Sequence, residues 1–197
     1  MALGAILQSM GSSAAILELF PAPGEWTEEE YLELSDRGRL VELSDGNVEV
    51  LPLPTELHQL ILMRLSAILF MFATDNKLGD VRVAPLPVRL RPGKFREPDL
   101  IFMSTDHKDR IGNYWGVPDL AVEILSESNT FHDRKIKRAE YEQAGVQEYW
   151  IIDPEAHTVE VIRFGKETRL LAGDDELTSM FFPGWSLSLR KLFAPNT

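Results

Sequence analysis

The spacing of apolar residues changes several times along the chain, and each change marks an element. From Thr55 to Asn76 the apolar positions Leu57, Leu60, Ile61, Leu65, Ile68, Leu69 and Phe72 recur at helical spacing. A long helix is expected there, capped by Thr55 and closed by Gly79. Upstream, Thr27 and Glu30 form a capping box for a short helix that Gly38 ends. Residues 39–44 and 47–51 are β-prone runs joined by Asp45-Gly46, a strong hairpin signal, and Pro52 and Pro54 stop the second run.

Further on, residues 81–90 read as β structure interrupted by Pro85 and Pro87, and Arg91-Pro-Gly-Lys reads as a turn. Residues 98–103 form a short strand, 104–117 a polar loop and 119–125 another strand. A polar link over 126–131 leads to a helix from about His132 to Ala144, with Gly145 past its end. Residues 148–153 are a strand that Pro154 ends, and 158–164 pair back on it. The tail carries Phe181-Phe-Pro-Gly-Trp and an amphipathic segment over 187–193. This order predicts an α/β chain with a mixed sheet flanked by helices and a hairpin added in front.

Composition narrows the function. The chain has 197 residues, 44% of them hydrophobic and 26% charged, which suits one folded domain. Residues 23–197 are read as that domain. Residues 1–22 are read as an extension, either loosely ordered or partner-binding. With no cysteine, a disulfide framework, a cysteine-ligated zinc and a cysteine nucleophile are excluded. The longest apolar run, residues 60–73, is broken by Arg64 and is shorter than a bilayer span, so no membrane association is expected. No basic residue precedes the apolar N-terminal stretch, and the chain is read as cytoplasmic. The net charge is −11, and residues 1–50 alone hold ten Asp and Glu against two Arg. A basic nucleic-acid surface is therefore not legible in the total.

The chemistry is carried by acidic residues and one lysine. There is no glycine-rich phosphate loop, Gly-x-Ser-x-Gly or His-Glu-x-x-His, and the histidines at 58, 107, 132 and 157 are dispersed. Asp99 opens one strand and Glu123 lies inside another, where acidic residues are depleted. Asp119 competes, since Pro-Asp-Leu occurs at 98–100 and 118–120. Four strand residues separate it from Glu123, about 13 Å, too far for two ligands of one ion. Asp99 on a neighbouring strand is the better partner for Glu123. The other reading is a solvent-facing strand with ordinary charges. On the following helix, Lys137 falls on the side of Tyr141 and Ala144, while Lys135 and Arg138 point outward. An inward lysine needs an anionic partner or a task. Asp133, one turn earlier, supplies the structural alternative. Mg²⁺ or Mn²⁺ between Asp99 and Glu123, with Lys137 nearby, suits phosphodiester hydrolysis.

These residues carry a resemblance. Glu97-Pro98-Asp99-Leu100, Val122-Glu123-Ile124-Leu125-Ser126, Asp133-x-x-x-Lys137-x-x-x-Tyr141 and the run from Gly145 to Pro154 resemble the Uma-type restriction endonuclease family of the PD-(D/E)XK nuclease superfamily. The resemblance covers residues 25–193. It implies a restriction-endonuclease-like fold, with a central mixed sheet flanked by helices and an added N-terminal helix and hairpin. It implies Asp99, Glu123 and the Ile124 carbonyl as ligands of Mg²⁺ or Mn²⁺. It gives the lysine role to Lys137, moved onto the helix, because the superfamily's usual lysine position is occupied here by Leu125.

The resemblance also brings in Glu42 and His58. Glu42 is either a second carboxylate of the site or a hairpin surface charge. His58 either contacts a phosphate or second metal, or is a helix-end histidine satisfied by hydrogen bonding. Arg96, Arg134, Lys135 and Arg138 are candidate nucleic-acid contacts, as are Arg89, Arg91, Lys94, Lys108 and Arg110 nearby; the other reading is solvated surface charge. The expected function is metal-dependent DNA endonuclease. The alternative is a catalytically inactive nuclease-fold module that binds nucleic acid or a protein partner. A homodimer would bring two sites to two strands.

Overall fold

The computed structural model describes residues 20–36, 38–126 and 132–195, with the side chains of 132–134 outside that description. The expected polar link at 126–131, apart from Ser126, and most of the N-terminal extension lie outside the described residues.

The capping box forms as expected: Thr27 caps α1 (Glu28–Ser35), and the Glu30 carboxylate accepts from the Thr27 amide at 2.9 Å. Next come β1 (Val41–Ser44) and β2 (Asn47–Val50). Asp45 and Gly46 both have positive φ, 50° and 79°, as their two-residue hairpin turn demands. Thr55 caps α2 (Glu56–Asp75). Its terminal cap is Asn76, and Gly79 instead opens β3 (Gly79–Val83). By length and composition α2 could cross a membrane. In this fold its apolar face packs on a sheet, and Arg64 donates to the carbonyls of Leu192 and Ala194, both at 2.7 Å.

The chain continues through β4 (Val88–Arg91), β5 (Lys94–Arg96) and β6 (Leu100–Ser104). The expected turn at Arg91-Pro-Gly-Lys closes a hairpin, and β5 itself was not expected. Three residues rich in charge offer no alternation to read. A 3₁₀ turn over Thr105–Arg110 interrupts the expected polar loop before β7 (Leu120–Ile124). The predicted helix is a π-helical segment (His132–Lys137) running into α3 (Arg138–Ala144), and Gly145 ends it at φ 95°. Then follow β8 (Glu148–Asp153), β9 (Thr158–Arg163), β10 (Glu167–Ala172), β11 (Glu176–Leu177), β12 (Leu187–Ser188) and α4 (Leu189–Leu192). The edge strand β10 was not expected either, because most of its residues are exposed.

The main sheet is mixed, in the order β10-β9-β8-β7-β6-β3, and a second sheet runs β2-β1-β5-β4. Within the main sheet only β7 and β8 are parallel. A parallel pair needs a crossover, and the π segment and α3 supply it. One face of the sheet (Leu100, Phe102, Val122, Trp150) packs on Ile61, Leu65 and Leu69 of α2. The other (Ile101, Ala121, Tyr149, Ile151) packs on Tyr141 of α3. The fold is thus the expected mixed sheet between helices. The added hairpin belongs to a four-stranded sheet whose β5 leads directly into Asp99.

Candidate active site

β6 and β7 are antiparallel with Leu100 opposite Val122. Asp99 lies in the bend just before β6, next to the end of β7. Asp99 Oδ2 accepts from the Ile124 amide at 2.7 Å, which locks the carboxylate to the end of β7. In a strand the N–H and C=O of one residue face the same neighbour. The Ile124 carbonyl therefore lies on the Asp99 side. Asp99 Oδ1 lies 3.0 Å from His58 Nε2 in the first turn of α2. That contact places the ring proton on Nε2. His58 Nδ1 is buried without a hydrogen-bond partner among the described residues.

Alternation along β7 turns Glu123 toward α3. It is 4% exposed, so the solvent-facing reading is excluded. Its Oε1 accepts from Lys137 Nζ at 3.0 Å and from the Tyr141 hydroxyl at 2.7 Å. Burial, with the Glu123 charge beside it, pushes the Tyr141 hydroxyl well above its ordinary pKa, so it remains a donor. Lys137 Nζ also reaches Glu42 Oε1 at 3.2 Å. The described anionic partners of Lys137 are thus Glu123 and Glu42.

Glu42 is 1% exposed, which corrects the surface-charge reading. Burial would raise its pKa, but Lys137 and Arg96 hold the carboxyl below its ordinary range. Arg96 also requires a correction. It was a candidate nucleic-acid contact, yet it is 2% exposed. Its guanidinium makes a fork to Glu140 at 2.7 and 2.9 Å and lies 3.3 Å from Glu42 Oε2. Pairing of β1 with β5 brings Glu42 and Arg96 together inside the second sheet. Of the remaining candidates, Arg138 bonds Glu160 and Thr168, Lys135 is exposed, and the Arg134 side chain lies outside the described residues. Asp119 sits at the far end of β7, where it accepts from the Ser104 amide and pairs with His107 at 2.6 Å. It takes no part in the site.

His58, Glu97, Asp99, Glu123, Ile124 and Lys137 line one cleft with a cavity of about 270 Å³. Sequence reasoning missed Tyr141 as a site residue and Glu97 as a lining residue. The signal for Tyr141 was its position four residues after Lys137, on the same helix face. Glu97 accepts from Ser35 Oγ at 3.1 Å. Burial raises its pKa to about 7; Ser35 opposes this and the Glu42 charge adds to it.

Among the described residues no three His, Asp or Glu side chains gather as a metal-binding group. Asp99, Glu123 and Ile124 nevertheless line one cleft and bring two carboxylates and a backbone carbonyl as oxygen donors. That all-oxygen set fits Mg²⁺ or Mn²⁺, which take one or two carboxylates and keep waters.

The chain matches, over residues 28–190, the model of the Uma2 family, described as "Putative restriction endonuclease". A solved structure from Anabaena variabilis, described as "a putative nuclease belonging to DUF820", is similar with a TM-score of 0.73 and 22% identity. The alignment covers 86% of this chain and 98% of that one, and it shows a shared fold. No curated protein matches the chain.

Proposed function

The chain belongs to the Uma2 family, and from that premise we propose that it is a metal-dependent endonuclease hydrolysing phosphodiester bonds of DNA. The observation that supports this best is that Asp99, Glu123 and Lys137 line one cleft. Asp99 is bonded to the end of β7 that carries Glu123, and both carboxylates lie at the recessed end of that cleft. Such an arrangement can hold a phosphate between oxygen ligands and a cation.

Asp99, Glu123 and the Ile124 carbonyl are the residues that would hold Mg²⁺ or Mn²⁺. When bound, such an ion neutralises phosphate charge and lowers the pKa of water. The chain's own residues do the positioning. His58 and the Ile124 amide fix both oxygens of Asp99. Tyr141 and Lys137 fix Glu123. Lys137 lies between two carboxylates and can donate to a phosphate oxygen. Glu42 balances that charge from behind.

The test is cleavage of supercoiled plasmid and of oligonucleotides with Mg²⁺ or Mn²⁺, with identically purified Asp99→Ala and Lys137→Ala proteins alongside. Cleavage by the wild type alone is expected. Equal cleavage by all three proteins would place the activity elsewhere. Absence of cleavage on every substrate would favour the inactive binding module.

A further inference from the structure

The charge around the cleft is unlike that of a duplex-binding surface. Glu97, Asp99 and Glu123 line it, and Lys137 is the one cationic lysine or arginine among its described lining residues. The basic residues that precede Asp99 are already neutralised. Arg89 pairs with Glu28 at 2.9 Å, Arg91 with Asp45 at 2.8 Å, and Lys94 with Glu140 at 2.7 Å. Duplex binding draws its affinity from cations that contact successive phosphates. These side chains are held by carboxylates instead.

Apart from its charged groups the cleft has a largely apolar wall. Leu51, Leu53, Pro54, Met63, Val83 and Pro85 form it. Leu53 is 86% exposed, Met63 64% and Val83 39%. The acidic end is recessed, with the Asp99 side chain 17% exposed and Glu123 5%. A phosphate reaching those carboxylates must leave the outer surface, and it carries its sugar and base in with it. A cavity of about 270 Å³ is close to the lower limit of small-molecule pockets and has room for one such unit. Inside a duplex that base is paired and stacked. Enzymes with recessed sites act on single strands or splay the nucleotide out.

Resting on the nuclease reading, we infer that the substrate is unpaired DNA, with the scissile phosphate at Asp99 and Glu123 and the adjoining base against the Leu53–Met63–Val83 wall. The cleft is continuous from the carboxylates to that wall, and this continuity favours a nucleotide over a protein occupant.

The test uses fluorescein-labelled oligonucleotides of one sequence: single-stranded, fully paired, and paired with a central unpaired bubble. Cleavage in Mn²⁺ is followed for the wild type, Leu53→Asp and Met63→Asp. Both residues are exposed, so thermal melting should be unchanged. The single strand and the bubble should be cut about tenfold faster than the paired duplex, which must first unpair a base. Each aspartate should slow cleavage of the single strand about fivefold or more by removing apolar contact and repelling phosphate. Equal rates on paired and unpaired DNA, or rates untouched by both substitutions, would overturn the inference and leave the nuclease reading standing. A change in mass by light scattering without a change in rate would make the wall a contact between copies and also overturn it. Absence of cleavage on all three substrates would overturn both readings.

Discussion

Tyr141 shows how much a single hydroxyl carries here. It is fully buried and donates to a carboxylate that also bonds Lys137. Tyr141→Phe keeps the ring packed against Tyr149 but removes the donor. A buried acceptor that loses one partner costs about 1–2 kcal/mol. Urea denaturation should show that loss with an unchanged m-value. Glu97 gives the pH prediction. The folded chain holds its proton up to about pH 7, against 4.5 for the ordinary side chain. Below 4.5 both states are protonated and the contribution is complete. Between about 4.5 and about 7 the unfolded chain alone ionises, so stability falls as pH rises. In EDTA the melting temperature should decline across that window, and Glu97→Gln should flatten the decline. An unchanged slope would show that Glu97 is not the group responsible.

At the scale of elements, the β1–β2 hairpin is fixed by its turn. The Gly46 carbonyl accepts from the amides of Gly24 and Trp26 at 2.8 and 3.1 Å. A Cβ on Gly46 would stand 2.3 Å from the Gly24 carbonyl oxygen, at a φ of +79°. Gly46→Ala should therefore destabilise the protein by about 1–3 kcal/mol, visible as a lower urea midpoint. The hairpin also carries Glu42, so the same substitution disturbs the anion behind Lys137. Caps and turn residues made this hairpin, α1 and α2 legible in the sequence, since Thr27, Asp45-Gly46 and Thr55 act on their immediate neighbours. β5 and β10 were not legible. The one is three residues long, charged and paired with β1 about 50 residues away, and the other is an exposed edge strand held by its hairpin partner β9. The inward face of Lys137 was legible as helical spacing. The role of Arg96 was not, because the partners that bury it, Glu140 and Glu42, lie 44 and 54 residues away in sequence.

For the whole molecule, the two sheets and two helices converge on one end of β6 and β7. α2 brings His58, the crossover brings Lys137 and Tyr141, and the second sheet brings Glu42 and delivers Asp99 through β5. Titration of Mn²⁺ into the metal-free protein by calorimetry tests the site most directly. Wild type should bind Mn²⁺, and Asp99→Asn and Glu123→Gln should each weaken binding at least about tenfold while remaining folded. Equal binding by all three folded proteins would contradict the assignment of these two carboxylates to the metal.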